Sequence, residues 1–169
     1  GWHVAEAKYG ARLTAAFAGP GGDALEAHID SLSNEAYQEL FALSGADVRR
    51  KFLVGADPAV RALADGLDDS ELRTLVTDLG GHDLRLLVDT FRSCDAEPDR
   101  PSVVFAYTIK GHGLPMAGDP MNHAALLSPE QIDDFRASLG LDADTEWDRF
   151  DPESDAGRLC RAVGGDINN

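Results

Sequence analysis

Lys110 and His123 frame the stretch of this sequence best suited to chemistry, Lys110-Gly-His-Gly-Leu-Pro-Met-Ala-Gly-Asp-Pro-Met-Asn-His123, a glycine- and proline-rich loop of about a dozen residues. It follows directly on Ser102 to Ile109, SVVFAYTI, the strongly β-forming run of the chain. In open α/β sheets ligands bind beyond the carboxyl ends of the strands. Only three lysines occur in the sequence, and one of them stands at such an end beside two glycines that let a ligand approach the backbone. Lys110 is therefore a candidate anion contact, with a solvated lysine beside a turn as the alternative. His123, preceded by Asn122 and followed by an apolar pair, could donate to a phosphate or move a proton near neutral pH. Its alternative is a loop histidine bonded to backbone. His112, between Gly111 and Gly113, is expected to be exposed and without a role, and His82 in Gly-His-Asp reads as a structural turn residue.

Other chemistries find little support. Cys94 and Cys160 stand alone, no two histidines are spaced i, i+4, and the carboxylates are dispersed, so no metal site is predicted. Gly-x-Ser-x-Gly, Gly-x-Gly-x-x-Gly and Gly-x-x-x-x-Gly-Lys-Ser/Thr are absent. The C-terminal Gly165-Asp166-Ile167-Asn168-Asn169 lacks the second glycine and the long spacer of the thiamine-diphosphate motif it superficially invites.

The chain that must position these groups has 169 residues, enough for one domain with a core of its own. With 43% apolar and 27% charged residues it has an ordinary globular composition, and two cysteines exclude a disulfide scaffold. A formal charge of −15, from 15 Lys+Arg against 30 Asp+Glu, repels phosphate backbones and anionic lipid, so nucleic acid is not an expected partner. Apolar runs are a few residues long, far short of the roughly 20 that span a bilayer, and no basic leader precedes them. A cytoplasmic location is expected. Gly1 followed at once by Trp2 and Val4 reads as a cut N-terminus.

Trp2 to Tyr9 fits a short strand closed by Gly10. After the Gly19 to Gly22 break, Leu25, His28, Ile29 and Leu32 fall at i, i+3, i+4 and i+7, the spacing of one helix face. Ser33 to Leu43 repeats the pattern with Tyr37, Leu40 and Phe41, and Ser44 opens a turn ahead of Val48 and Phe52. Asp57-Pro58 is an N-cap with proline at the first helical position. Asp69 or Ser70 is expected to cap a helix carrying Leu72, Leu75, Val76 and Leu79 that Gly80-Gly81 stops. Asp83 caps the next, which ends near Cys94, and Ser128-Pro-Glu-Gln131 is a capping box. An acidic tail from Asp142 leads to one more short helix over Arg158 to Val163. Because SVVFAYTI is apolar on both faces, it is expected to be buried on both, in a parallel sheet covered by helices. One good strand and one fair one cannot complete such a sheet, so the missing strands are expected on other segments or on a partner.

Four stretches, GWHVAEAKYG, Gly80-Gly-His-Asp83, PSVVFAYTIKGHGLP and NHAALLS, resemble the homodimeric type of pyruvate dehydrogenase, the thiamine-diphosphate-dependent decarboxylating component, over essentially the whole chain. The shorter pattern of Gly-His-Asp, helix, strand, Thr-Ile-x-Gly-x-Gly and His is similar to transketolase too. The long helical stretch from Gly19 to Gly80 favours the dehydrogenase. The resemblance implies an α/β fold, part of a doubly wound, mostly parallel sheet with flanking helices. Residues 1–140 would then be the C-terminal half of the diphosphate-binding domain, with a helical insertion over 20–80, and residues 141–169 an acidic linker with a short helix. It implies oxidative decarboxylation of pyruvate with acyl transfer to a lipoyl-bearing acyltransferase. Lys110 matches the family's active-centre lysine and His123 its channel histidine, so both would be catalytic, and Lys110, Asn122 and His123 would contact thiamine diphosphate. Magnesium ligands and the cofactor-activating glutamate would lie outside these residues. The remaining domains or subunits, in a homodimer or a split hetero-oligomer, are therefore expected partners, and the chain alone should not decarboxylate anything. A transketolase-like segment and a detached, non-catalytic assembly module are the alternatives.

Overall fold

The computed structural model describes residues 1–167; Asn168 and Asn169, the end of the tail, lie outside the described residues. The chain divides into two compact units, Gly1–Ala125 and Leu126–Asn169.

The first unit is a parallel strand pair with helices threaded between the strands. Strand β1 (His3–Ala7) and strand β2 (Ser102–Ala106) pair in parallel, His3 opposite Ser102 through Ala7 opposite Ala106. Between them run α1 (Ala11–Phe17), α2 (Gly22–Ser31), α3 (Asn34–Ala42), α4 (Gly45–Phe52), α5 (Pro58–Asp65), α6 (Asp69–Val76) and α7 (Leu84–Asp95). Helix starts follow the short polar side chains that can replace a missing backbone partner. Ser33, Ser44, Asp57 and Asp83 each accept a backbone N–H from the first turn of the helix that follows. At α6 the cap is Asp68, not Asp69 or Ser70. Asp68 accepts from the Glu71 N–H while Glu71 reaches back to the Asp68 N–H, a reciprocal pair available at no later position. The helix ends at Val76, before the glycines, and Gly80–His82 is a separate 3₁₀ turn.

Most of the core belongs to the helices. Leu13, Leu25, Leu40, Val48, Phe52, Val60, Leu72 and Val76 are fully buried in one cluster contributed by α1 to α6. At about 1.5–3 kcal/mol for each large apolar side chain removed from water, this cluster dominates the unit's stability. Arg49 and Arg73 tie it together from its edge: Arg73 donates to the carbonyls of Leu43 and Phe41, both at 2.9 Å, and Arg49 to those of Ala64 and Leu67. Lys51 pairs with Glu39. A second, smaller cluster of Phe41, Leu79 and Ile109 joins the helices to the end of β2.

The strand region is α/β in type, but among the described residues the sheet consists of two strands. β2 is not buried on both faces within this chain. Val103 and Val104 are half-buried, and Phe105 and Tyr107 are 52% and 42% exposed. The cause is geometric: β2 has a neighbour on one edge, and α7, which packs on β1, cannot cover the whole pair. α7 itself exposes Leu84, Val88 and Phe91.

In the second unit, α8 (Pro129–Ser138) starts at the Ser128/Gln131 capping box, and Gly140 follows it in the left-handed region at φ +67°. Arg136 joins Asp133 to Glu146, each at 2.5 Å. α9 (Asp155–Ile167) is longer than the Arg158 to Val163 helix expected, starting three residues earlier. Leu126, Trp147, Phe150 and Leu159 are exposed. No described helix is long and apolar enough to cross a membrane.

Candidate functional site

At the carboxyl end of β2 the chain is held by Ile109, whose side chain is 7% exposed against Phe41 and Leu79. Lys110 is the next residue and is exposed. The loop that follows turns back on itself through a 3₁₀ turn, Pro120–His123, started by Asp119, which accepts the Met121 N–H at 2.8 Å. This return brings both ends of the loop together. Asn122 Nδ2 donates to the carbonyls of Lys110, at 3.0 Å, and Met116, at 3.1 Å. Lys110 Nζ lies 2.9 Å from His123 Nδ1. An ammonium can only donate, so Nδ1 accepts and the imidazole carries its proton on Nε2.

The three residues singled out in the sequence thus form one cluster. Lys110 and Asn122 line a cleft of 530 Å³ whose other walls include Gln38, Thr108, Gly118 and Asp119. Gly118 is required there: it has φ +79°, and a Cβ would stand 2.5 Å from the Gln38 carbonyl oxygen. Chemically the cluster offers one positive charge and an adjacent imidazole that can take or relay a proton. Both amide hydrogens of Asn122 are committed within the loop, leaving its Oδ1 for an outside contact.

A second knot sits behind Ile109, in the Gly80-Gly81-His82-Asp83 turn. Gly80 N–H donates to the Lys8 carbonyl and Gly81 N–H to the Tyr107 carbonyl, both at 2.9 Å, so the turn bridges the carboxyl ends of the two strands. His82 Nε2 accepts the Ile109 N–H at 2.8 Å. His112 is exposed as expected, yet its ring stacks on that of His82, with centroids 3.7 Å apart and planes 9° from parallel. Burial, and then the neighbouring His112, hold the His82 pKa below the usual imidazole value. Asp83 accepts from Leu86 and from Ala11, each at 3.0 Å; these bonds, Leu86 first, hold its carboxyl below the ordinary range.

At the end of β1, Lys8 pairs with Asp30 at 2.9 Å and Tyr9 donates to the same carboxylate. The bonds from Tyr9 and then Lys8 lower the Asp30 pKa. Among the described residues no group of three or more His, Cys, Asp or Glu side chains could hold a metal ion.

No protein-family model matches the chain. Curated relatives do. Over 155 residues, 90% of this chain, it is 30% identical to the pyruvate dehydrogenase E1 component of Corynebacterium glutamicum, of which it covers 16%. It is 31% identical to the component of the same name from Mycobacterium tuberculosis over 114 residues, 68% of this chain and 12% of that protein. For Pseudomonas aeruginosa the figures are 29% over 136 residues, 80% and 15%. The chain is similar to a segment of the pyruvate dehydrogenase E1 component. It spans between 12% and 16% of the length of these E1 relatives. The matched 90% leaves little of the chain outside the similarity to the Corynebacterium E1.

Proposed function

We propose that this chain is a segment of a thiamine-diphosphate-dependent 2-oxo acid dehydrogenase, acting on pyruvate and passing the acyl group to a lipoyl-bearing acyltransferase in the cytoplasm. The observation that carries this reading is the similarity to E1 components over up to 90% of the chain. The half-exposed strand pair supports it, because β2 has an unpaired edge that further strands of a larger enzyme would complete.

The donor set at the end of β2 fits one anionic group of the cofactor or substrate. Lys110 would offset its charge, His123 would hold or move a proton beside it, and Asn122 would fix the loop and offer Oδ1. Thiamine diphosphate, when bound, supplies the electron sink that decarboxylation of a 2-oxo acid requires. Magnesium, which steadies the diphosphate, would be held by residues outside this chain. A fixed positive charge at Lys110 would stabilise negative charge developing on a bound group, and such fixed charges are often the largest catalytic contribution.

The test uses the complete enzyme that carries this segment. Lys110→Met is expected to lower kcat/KM for pyruvate by roughly 10²–10³, the usual cost of one electrostatic contact to developing charge. His123→Ala is expected to lower the lipoyl-dependent rate by roughly 10²–10⁴, the range for a positioned proton-transfer group, with a smaller effect when an artificial electron acceptor replaces the lipoyl arm. Full activity in both variants would refute the assignment.

A further inference from the structure

The Gly-His-Asp turn is built into the base of the candidate site but has no part in the function proposed above. His82 touches the Lys110 loop at two points, one on each side of the lysine. Its Nε2 accepts the N–H of Ile109, the residue before Lys110, and its ring face stacks on His112, two residues after it. Ile109 is buried, so its amide has no water to turn to if that acceptor is lost. The turn carrying His82 is itself anchored to both strand ends through Gly80 and Gly81, so the imidazole has a rigid base.

We infer that His82 is a positioning residue for Lys110: its neutral imidazole grips the chain at Ile109 and His112 and so fixes where the lysine meets His123 at the mouth of the cleft. This rests on the proposed role of Lys110. The grip requires an unprotonated Nε2, because a protonated imidazole has two donors and no acceptor. Acidification therefore turns the Ile109 contact from donor-to-acceptor into donor-to-donor. It also places a positive ring 3.7 Å from His112. The charged and titratable groups that line the same cleft as His82 are Arg12 on α1, Arg73 on α6, Asp78 after α6 and His112 on the loop. Arg73 is committed to the carbonyls of Phe41 and Leu43, and the Asp78 carboxylate to the N–H groups of Arg12 and Leu13. None of these bonds reaches the His82 ring to stabilise its charged form. The lowered pKa of His82 agrees: the grip is intact near neutrality and is lost as pH falls through that depressed value.

The decisive experiment compares His82→Gln, which keeps an acceptor and cannot titrate, with His82→Phe, which keeps a flat ring and has no acceptor, both in the complete enzyme. Amide hydrogen exchange at Ile109, read by mass spectrometry and corrected for intrinsic rate, reports the grip without any catalytic step. His82→Phe is expected to lower protection at Ile109 by roughly fivefold, the factor for one net hydrogen bond, and His82→Gln to preserve it. Wild-type protection should fall as the pH drops well below the usual imidazole value, and that of His82→Gln should not. The acid-side fall of kcat/KM should be shallower in the same variant than in wild type, a change that simple structural damage would not produce. Equal protection in wild type and His82→Phe, or wild-type protection independent of pH, would overturn the inference. If His82→Phe does not fold, the pH comparison between wild type and His82→Gln decides. Should Lys110→Met leave activity intact while the exchange results hold, the role of Lys110 has failed and the grip of His82 on its loop stands.

Discussion

Replacing Gly80 by alanine tests whether the turn joining the two strand ends is as tight as its geometry implies. A Cβ there would stand 2.5 Å from the Ala7 carbonyl carbon, 2.6 Å from the Ala7 oxygen and 2.9 Å from the Tyr9 oxygen. All three are backbone atoms and cannot swing aside. Contact distances near 3.5 Å are optimal for such atoms, so the methyl group would overlap by about 0.6–1 Å. Relieving it means separating the turn from β1 and stretching the Gly80 N–H bond to Lys8, now 2.9 Å. Overpacking of this kind costs about 1–3 kcal/mol and a weakened buried hydrogen bond about 0.5–1.5 kcal/mol, giving roughly 2–4 kcal/mol together. Gly66→Ala is the matched control in the same unit: Gly66 has φ −82° and a new Cβ would meet only the Leu63 oxygen, at 3.4 Å. Urea unfolding followed by far-UV circular dichroism reads both. With a slope of about 2 kcal/mol/M, Gly80→Ala should lower the midpoint by roughly 1–2 M, and Gly66→Ala should leave it within about 0.3 M. A Gly80→Ala midpoint as close to wild type as that of the control would refute the steric reasoning.

Leu72→Ala, at a side chain with no exposure in the helical core, should destabilise the first unit by about 2–5 kcal/mol in the same unfolding experiment. Asp83→Asn leaves one acceptor oxygen for the two N–H groups of Leu86 and Ala11, and should cost about 1 kcal/mol at neutral pH. Because the Asp83 pKa is lowered on folding, its stabilisation is fully present above the unfolded value of about 3.9 and is lost as pH falls through the lower folded value. The stability difference between wild type and Asp83→Asn, measured from pH 7 down to pH 3, should therefore shrink only below about pH 4.

The helices with local caps were legible from sequence because cap and first turn lie within four residues, as at Ser33, Ser44, Asp57, Asp83 and Ser128. α1 went unread for the opposite reason. Its N-cap is Gly10, which has no side chain, and its first N–H groups are taken by Asp83 and Asp78, more than sixty residues away. No local pattern carries that information. At α6 three polar residues in a row, Asp68, Asp69 and Ser70, compete for one cap, and only the Glu71 partner decides between them. The apolar composition of β2 correctly signals a strand that wants cover on two faces, but composition does not say how much of that cover this chain supplies. Of the site, the lysine, asparagine and histidine were readable as residue types at a strand end, and their meeting at 2.9–3.0 Å follows from the loop's return. The part played by His82 was not, because a turn residue 27 positions before Ile109 shows its partner only once both strand ends are in place.

The three lysines of this sequence occupy three different electrostatic settings, with Lys8 against a carboxylate and a tyrosine, Lys51 against Glu39, and Lys110 against an imidazole. An amine-selective reagent thus has three lysine reporters besides the α-amino group, one at each strand end and one on the helical side. Their relative labelling rates give a chemical fingerprint of whether those regions loosen together or apart.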